Sequence, residues 1–138
     1  MFELGPKVFD TLPVEEKDKY DYKANGSYFG YKGFGQGIID AKGTRDRSEI
    51  WNVSKDDILG ISERRPNPDI LQDESNRELL KNFMVRSHAI ITLLFSHLNE
   101  KLGLPPQTLQ NMHRLRGISG DQSRWVYVCD LTDCWKAL

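Results

Sequence analysis

The run from Leu79 to Leu102 constrains this chain more than any other part of it. Leu79, Leu80, Phe83, Met84, Ile90, Ile91, Leu94, Leu98 and Leu102 recur at the three- and four-residue spacing of a helical face. Ser75-Asn-Arg-Glu78 precedes the run as a capping box, in which Ser75 caps the backbone N–H at Glu78 and Glu78 reaches back. Gly103 follows it where a C-terminal cap glycine belongs, and Pro105 comes next. The spacing predicts one central helix over about 76–102, roughly 40 Å long at about 1.5 Å per residue. In its middle Ala89, Ile90, Ile91, Leu93, Leu94 and Phe95 leave little polar surface. A helix apolar nearly all round is expected to be buried on more than one side.

The remaining segments arrange themselves around that helix. Residues 1–20 read as short helices, with Phe2, Leu4, Val8 and Phe9 as an apolar face and Pro13 in the first turn of a second helix. Residues 24–46 interleave six glycines with Tyr28, Phe29, Tyr31 and Phe34. They read as a turn-rich loop anchored by aromatic rings. The glycines do not fit a phosphate-binding fingerprint, because no Gly-Lys-Ser/Thr follows them. Residues 47–53 alternate as a short strand, with Glu49, Trp51 and Val53 on one face. Residues 62–73, broken by Pro66 and Pro68, read as loop. Residues 105–115 read as a shorter helix with Leu109 and Met112 inward. Residues 123–129 alternate as a strand, Trp125, Tyr127 and Cys129 on one face and Arg124, Val126 and Val128 on the other. The expected class is α+β, mainly helical, with one or two short strands, in a single domain over 1–138.

Composition narrows the function classes. The 138 residues carry a formal net charge of −1, with no basic block of the kind that binds nucleic acid or an anionic membrane. No apolar run reaches the length of a membrane span. Cys129 and Cys134 are read as free thiols, and a cytoplasmic location is expected.

The candidate chemistry is sparse. His88 and His97 stand nine positions apart, two and a half turns, so their rings point to different sides. No His-x-Asp or His-x-x-x-His pair occurs, and Cys129 and Cys134 lack the second pair or histidine that a zinc site needs. Neither a metal nor a cofactor is therefore expected. A strand carrying Arg124, Trp125 and Tyr127 offers a cation, a stacking surface and a hydroxyl, a set that suits an anionic or aromatic ligand. The same pattern also describes an edge strand that covers a core.

The order of several short motifs resembles a known family. Phe9-Asp-Thr-Leu-Pro-Val-Glu-Glu-Lys17 resembles the Phe-Phe-x-Leu-Pro-x-Glu-x-Lys segment of iron(II)/2-oxoglutarate oxygenases of the isopenicillin N synthase-like type. Asn25-Gly26, Tyr28-Phe-Gly-Tyr31 and Gly35 resemble the loop that follows it. Glu49-Ile-Trp-Asn-Val53 resembles the family's short strand, and Leu102-Gly-Leu-Pro105 the end of its backbone helix. His113-Arg-Leu and Ser119-Gly-Asp-Gln122 with Arg124 resemble fungal biosynthetic members. The resemblance implies an incomplete jelly-roll fold, matching the N-terminal helical region without the segments that supply the family's iron and 2-oxoglutarate ligands. It also implies that the strand at 123–128 lines a pocket, which singles out Arg124 and Tyr127.

Two functions compete on this basis. One is a truncated, oxygenase-derived pseudo-enzyme of secondary metabolism. It would assemble through an exposed apolar face with itself or with a full-length homologue. The other is a cofactor-independent isomerase or cyclase, of the pericyclase kind, acting on a natural-product intermediate. Its pocket would draw on Tyr28, Tyr31, His113, Arg124, Trp125 and Tyr127, with two chains enclosing it.

Overall fold

The computed structural model describes residues 1–128. The expectations that fall on Cys129 and Cys134 lie outside the described residues. The chain runs α1 (Leu4–Thr11), α2 (Val14–Asp18), β1 (Gly30–Lys32), β2 (Ser48–Ser54), α3 (Lys55–Ile58), α4 (Asp69–Gln72), α5 (Glu74–Lys101), α6 (Thr108–Met112) and β3 (Gln122–Val128). No helix among the described residues is long and apolar enough to cross a membrane.

The three strands form one antiparallel sheet in the order β1-β2-β3. β2 holds the centre, pairing Trp51 with Tyr31 on one side and with Trp125 on the other. Directly paired residues share a face, so Glu49, Trp51 and Val53 look inward together with Tyr31, Trp125 and Tyr127. Asn52, Arg124 and Val126 look outward. The inner face meets Leu4, Val8 and Phe9 of α1, and the same core continues through Ile58, Leu71, Leu80 and Met84. Trp51 is fully buried at its middle, with the rings of Tyr20 and Tyr31 beside it.

Two glycines permit close approaches. A Cβ on Gly5 would lie 2.9 Å from Cδ1 of Trp125, so α1 can rest on β3 only with glycine there. Gly30 has φ +112, and a Cβ would run into the carbonyl oxygen of Tyr20. That carbonyl accepts a hydrogen bond from the N–H of Tyr31 at 2.9 Å, which ties β1 to the end of α2.

Two of the buried ion pairs join one helix or strand to another. Lys17 Nζ donates to Glu49 Oε1 at 3.0 Å and to the Phe9 carbonyl at 3.2 Å, and the Tyr31 hydroxyl donates to the same carboxylate. Arg77 Nη2 donates to Asp57 Oδ1 at 2.7 Å and to the Asp57 carbonyl at 3.1 Å, joining α5 to α3.

The structure corrects several expectations. Asp73 caps α5, accepting from the N–H groups of Ser75 and Asn76, while the Ser75 hydroxyl turns back to Asp73. The helix consequently begins earlier than the proposed Ser75 box allows. The glycine-rich loop contains a strand, β1, and the proline-broken segment contains α4. The sheet accordingly has three strands among the described residues, not one or two. α6 spans only Thr108–Met112, and Met112 is 77% exposed instead of inward. The middle of α5 is not buried on more than one side: Ile91, Thr92 and Phe95 are half-buried, while Ala89, Ile90, Leu93 and Leu94 are exposed, and the helix meets the core at Leu80 and Met84.

Candidate functional site

The six residues singled out in the sequence do not gather into one pocket of this chain. Tyr31 lies in the core with its hydroxyl on Glu49. Burial, then the hydrogen bond to Glu49 and its negative charge, push the Tyr31 phenol well above its ordinary pKa, so it stays protonated as a donor. Trp125 and Tyr127 point to the same inner face, Tyr127 stacked on Phe9 with ring centres 5.6 Å apart. Arg124 points to the outer face, where its Nε donates to Asn52 Oδ1 at 2.9 Å. Arg124 and Tyr127 therefore cannot line a common pocket within one chain. Tyr28 is 81% exposed, and its carbonyl accepts from Asn52 Nδ2 at 2.8 Å. His113 lies after α6, stacked on His88 with ring centres 4.9 Å apart and edge-on to Phe95.

Three surfaces stand out instead. The first is the bare face of α5. Phe83, Ile90, Leu94 and Leu98 fall within a quarter turn of one line at 100° per residue, and all four are exposed. Ile90 and Leu94 keep 62% and 55% of their surface in solvent. A row of this kind is what marks an interaction surface, in contrast to single scattered apolar residues.

The second is a cleft of about 250 Å³ between α5 and the start of β3. Phe83, Met84, Ile91 and Leu115 form its apolar wall, and His88 and His113 stand at its side. Lys55 closes the floor. Its Nζ donates to the carbonyls of Leu115 and Gly117, at 3.0 and 2.7 Å, and lies 2.9 Å from Asp56 Oδ1. Burial would raise the pKa of Asp56, but the contact with Lys55 and the N–H of Ser119 outweigh it and hold the carboxyl below its ordinary range. The sequence offered a partial signal for this cleft. His88, Ile91 and Phe95 share the i, i+3, i+7 spacing of one face. Nothing in the sequence announces that His113 meets them.

His88 carries a pH prediction. Burial first, then the nearby His113 and Lys55, lower its pKa, while Asp121 opposes them. As the pH falls, the unfolded chain therefore takes up this proton before the folded one does. The stabilisation is complete well above about pH 6.5 and is lost progressively below it, down to the lower pKa of the folded state. Thermal melts between pH 7.5 and 5.5 should show the melting temperature falling more steeply for the parent chain than for His88→Gln. Equal slopes would remove His88 as the source.

The third is a hollow of about 260 Å³ on the outer side of the sheet, between Asn52 of β2 and the 65–67 segment. The Arg65 guanidinium lies over the Phe29 ring at 4.4 Å in its wall.

Among the described residues no group of three or more His, Cys, Asp or Glu side chains is placed to hold a metal ion. Comparison of the chain with protein-family models, with curated proteins and with solved structures finds no match.

Proposed function

We propose that this chain works as an assembly element, and that the bare apolar face of α5 seats a second copy of the same chain. The observation that carries the reading is the exposed row Phe83, Ile90, Leu94 and Leu98 on a helix whose adjoining face, at Leu80 and Met84, packs on the core. Its partner is argued from the helix itself. A two-fold axis between Ile90 and Leu94 sets the helices antiparallel, so each Ile90 meets the other copy's Leu94. The same operation sets Phe83 across from the stem of Lys101. It also brings Arg86 near Glu100 of the second copy, because both project to one flank of the row at 100° per residue. Apolar centre and oppositely charged margin are then complementary under a single rotation.

We read the chain as an oxygenase-like pseudo-enzyme of secondary metabolism acting in the cytosol. In this reading the three-strand sheet is part of a jelly-roll. Support comes from the ordered motifs at 9–17, 25–35, 49–53 and 102–105 and from the antiparallel pairing of β2 with β3, the pairing a jelly-roll uses. A second reading, a cofactor-independent isomerase or cyclase, draws on the His88–His113 cleft. Phe83 borders both that cleft and the α5 row, so a second copy on α5 would roof it and complete a pocket shared by two chains.

Light scattering on the full chain at about 50 µM should give the mass of a dimer. Leu94→Glu should give a monomer with an unchanged melting temperature, since Leu94 touches solvent rather than core. A parent chain that stays monomeric, or a Leu94→Glu dimer, would overturn the assignment.

A further inference from the structure

The hollow on the outer side of the sheet contains a guanidinium with nothing to bind. Arg65 carries five N–H donors. Among the described residues none of them makes a hydrogen bond or an ion pair, and its Nε is fully buried without a partner. Only its backbone N–H is used, donating to Asp57 Oδ2 at 3.2 Å. The nearby carboxylates are committed elsewhere: Asp57 pairs with Arg77, and Asp56 with Lys55. Arg65 therefore acts on Asp56 only through space, without a hydrogen bond or ion pair to it. Arg65 is half-buried, and only its Nε is shut off from solvent; an unsatisfied buried donor of this kind costs free energy.

The surroundings suit an anion with a flat body. The guanidinium is held by its stack on Phe29 at 4.4 Å, which fixes the plane of the fork. Asn25, Ser27 and Asn67 line the same hollow and add neutral polar groups, and Tyr20 adds a second aromatic wall. Asn52 closes one side, oriented by Arg124 on its oxygen and by the Tyr28 carbonyl on its amide nitrogen. The hollow, at about 260 Å³, holds a ligand of single-ring size.

We propose that this hollow is a binding site for a small organic oxyanion, a carboxylate or a phosphate monoester, whose oxygens take the paired donors of Arg65 and whose ring lies against Phe29 and Tyr20. A planar fork matches both anions in the same two-bond geometry. The site lies on the outer face of the sheet, away from the bare row of α5, and does not depend on the assembly reading. Arg124 and Tyr28 enter it as positioning residues through Asn52, without touching the ligand.

Isothermal titration of the full chain with phenyl phosphate and, separately, phenylacetate tests this, with Leu94→Glu as a second background so that loss of assembly cannot mimic loss of the site. Saturable one-to-one binding of either anion is expected, and the anion that binds identifies the head group. Arg65→Lys keeps the charge but loses the fork and should weaken binding about tenfold or more. Arg65→Met should abolish it while leaving the melting temperature near that of the parent, because no hydrogen bond of the fold is lost. Asn25→Ala, an uncharged change in the same wall, should weaken binding severalfold. No binding of either anion up to about 10 mM, or binding that survives Arg65→Met unchanged, would overturn the proposal.

Discussion

Asp57→Ala is expected to lower the stability of this fold by about 3–5 kcal/mol. The carboxylate is fully buried, and it receives Arg77 Nη2 at 2.7 Å and the backbone N–H of Arg65 at 3.2 Å. Alanine leaves the buried Arg77 guanidinium without its counter-charge and frees the 63–66 segment from α3. Because single domains are stable by only about 5–15 kcal/mol, the loss is a large fraction of the total. Chemical denaturation should show a lowered midpoint. Arg77→Ala should lower it comparably, since it strands the carboxylate in turn, and the double variant should cost less than the sum of the two. A loss under about 1 kcal/mol for Asp57→Ala would mean that α5 is held to the sheet by its apolar contacts alone.

The second large effect belongs to the pair at the other end of the sheet. Glu49→Leu removes the acceptor of both Lys17 and the Tyr31 hydroxyl, and should cost about 3–5 kcal/mol. The double change Lys17→Met with Glu49→Leu should recover most of it. Two apolar side chains of similar volume can replace a buried ion pair at little net cost, whereas half a pair cannot be tolerated. Tyr31 sharpens the test. Its hydroxyl would be left unpaired in the double variant, and adding Tyr31→Phe should bring a further recovery of about 1 kcal/mol. A double variant as unstable as Glu49→Leu would show that Lys17 works mainly through the Phe9 carbonyl, which it also binds.

The extent to which the fold was legible follows the range of the interactions involved. α5 was readable because its apolar spacing is local, and β2 and β3 because their alternation is local too. Glu49, Trp51 and Val53 share one face for that reason, and the structure turns that face inward. β1 is only three residues, Gly30–Lys32, and it is a strand because Trp51 lies opposite Tyr31. No pattern within the glycine-rich segment carries that fact. The cap moved to Asp73 because the carboxylate reaches two backbone N–H groups and also engages the Ser75 hydroxyl. Ser75 already lies inside the helix, which begins at Glu74, and its hydroxyl donates back to Asp73.

The candidate site was less legible. Arg124 and Tyr127 were drawn to one pocket by family resemblance, while strand alternation already set them on opposite faces. Arg65 lies in a segment whose prolines predict loop, and its place in the hollow rests on Phe29 arriving from 36 positions earlier in the chain. The crowded middle of α5 departs from its expected burial for a simpler reason. Residues apolar on all sides signal burial, but they do not say whether the same chain supplies the cover.

Whether a second copy supplies that cover is tested most directly by cross-linking. In a background of Cys129→Ser and Cys134→Ser, the double variant Ile90→Cys/Leu94→Cys should oxidise to a covalent dimer. Peptide mapping should join position 90 of one copy to position 94 of its partner. A chain that stays monomeric under oxidation, or one linked only through a control cysteine placed at the exposed Phe2, would contradict the account.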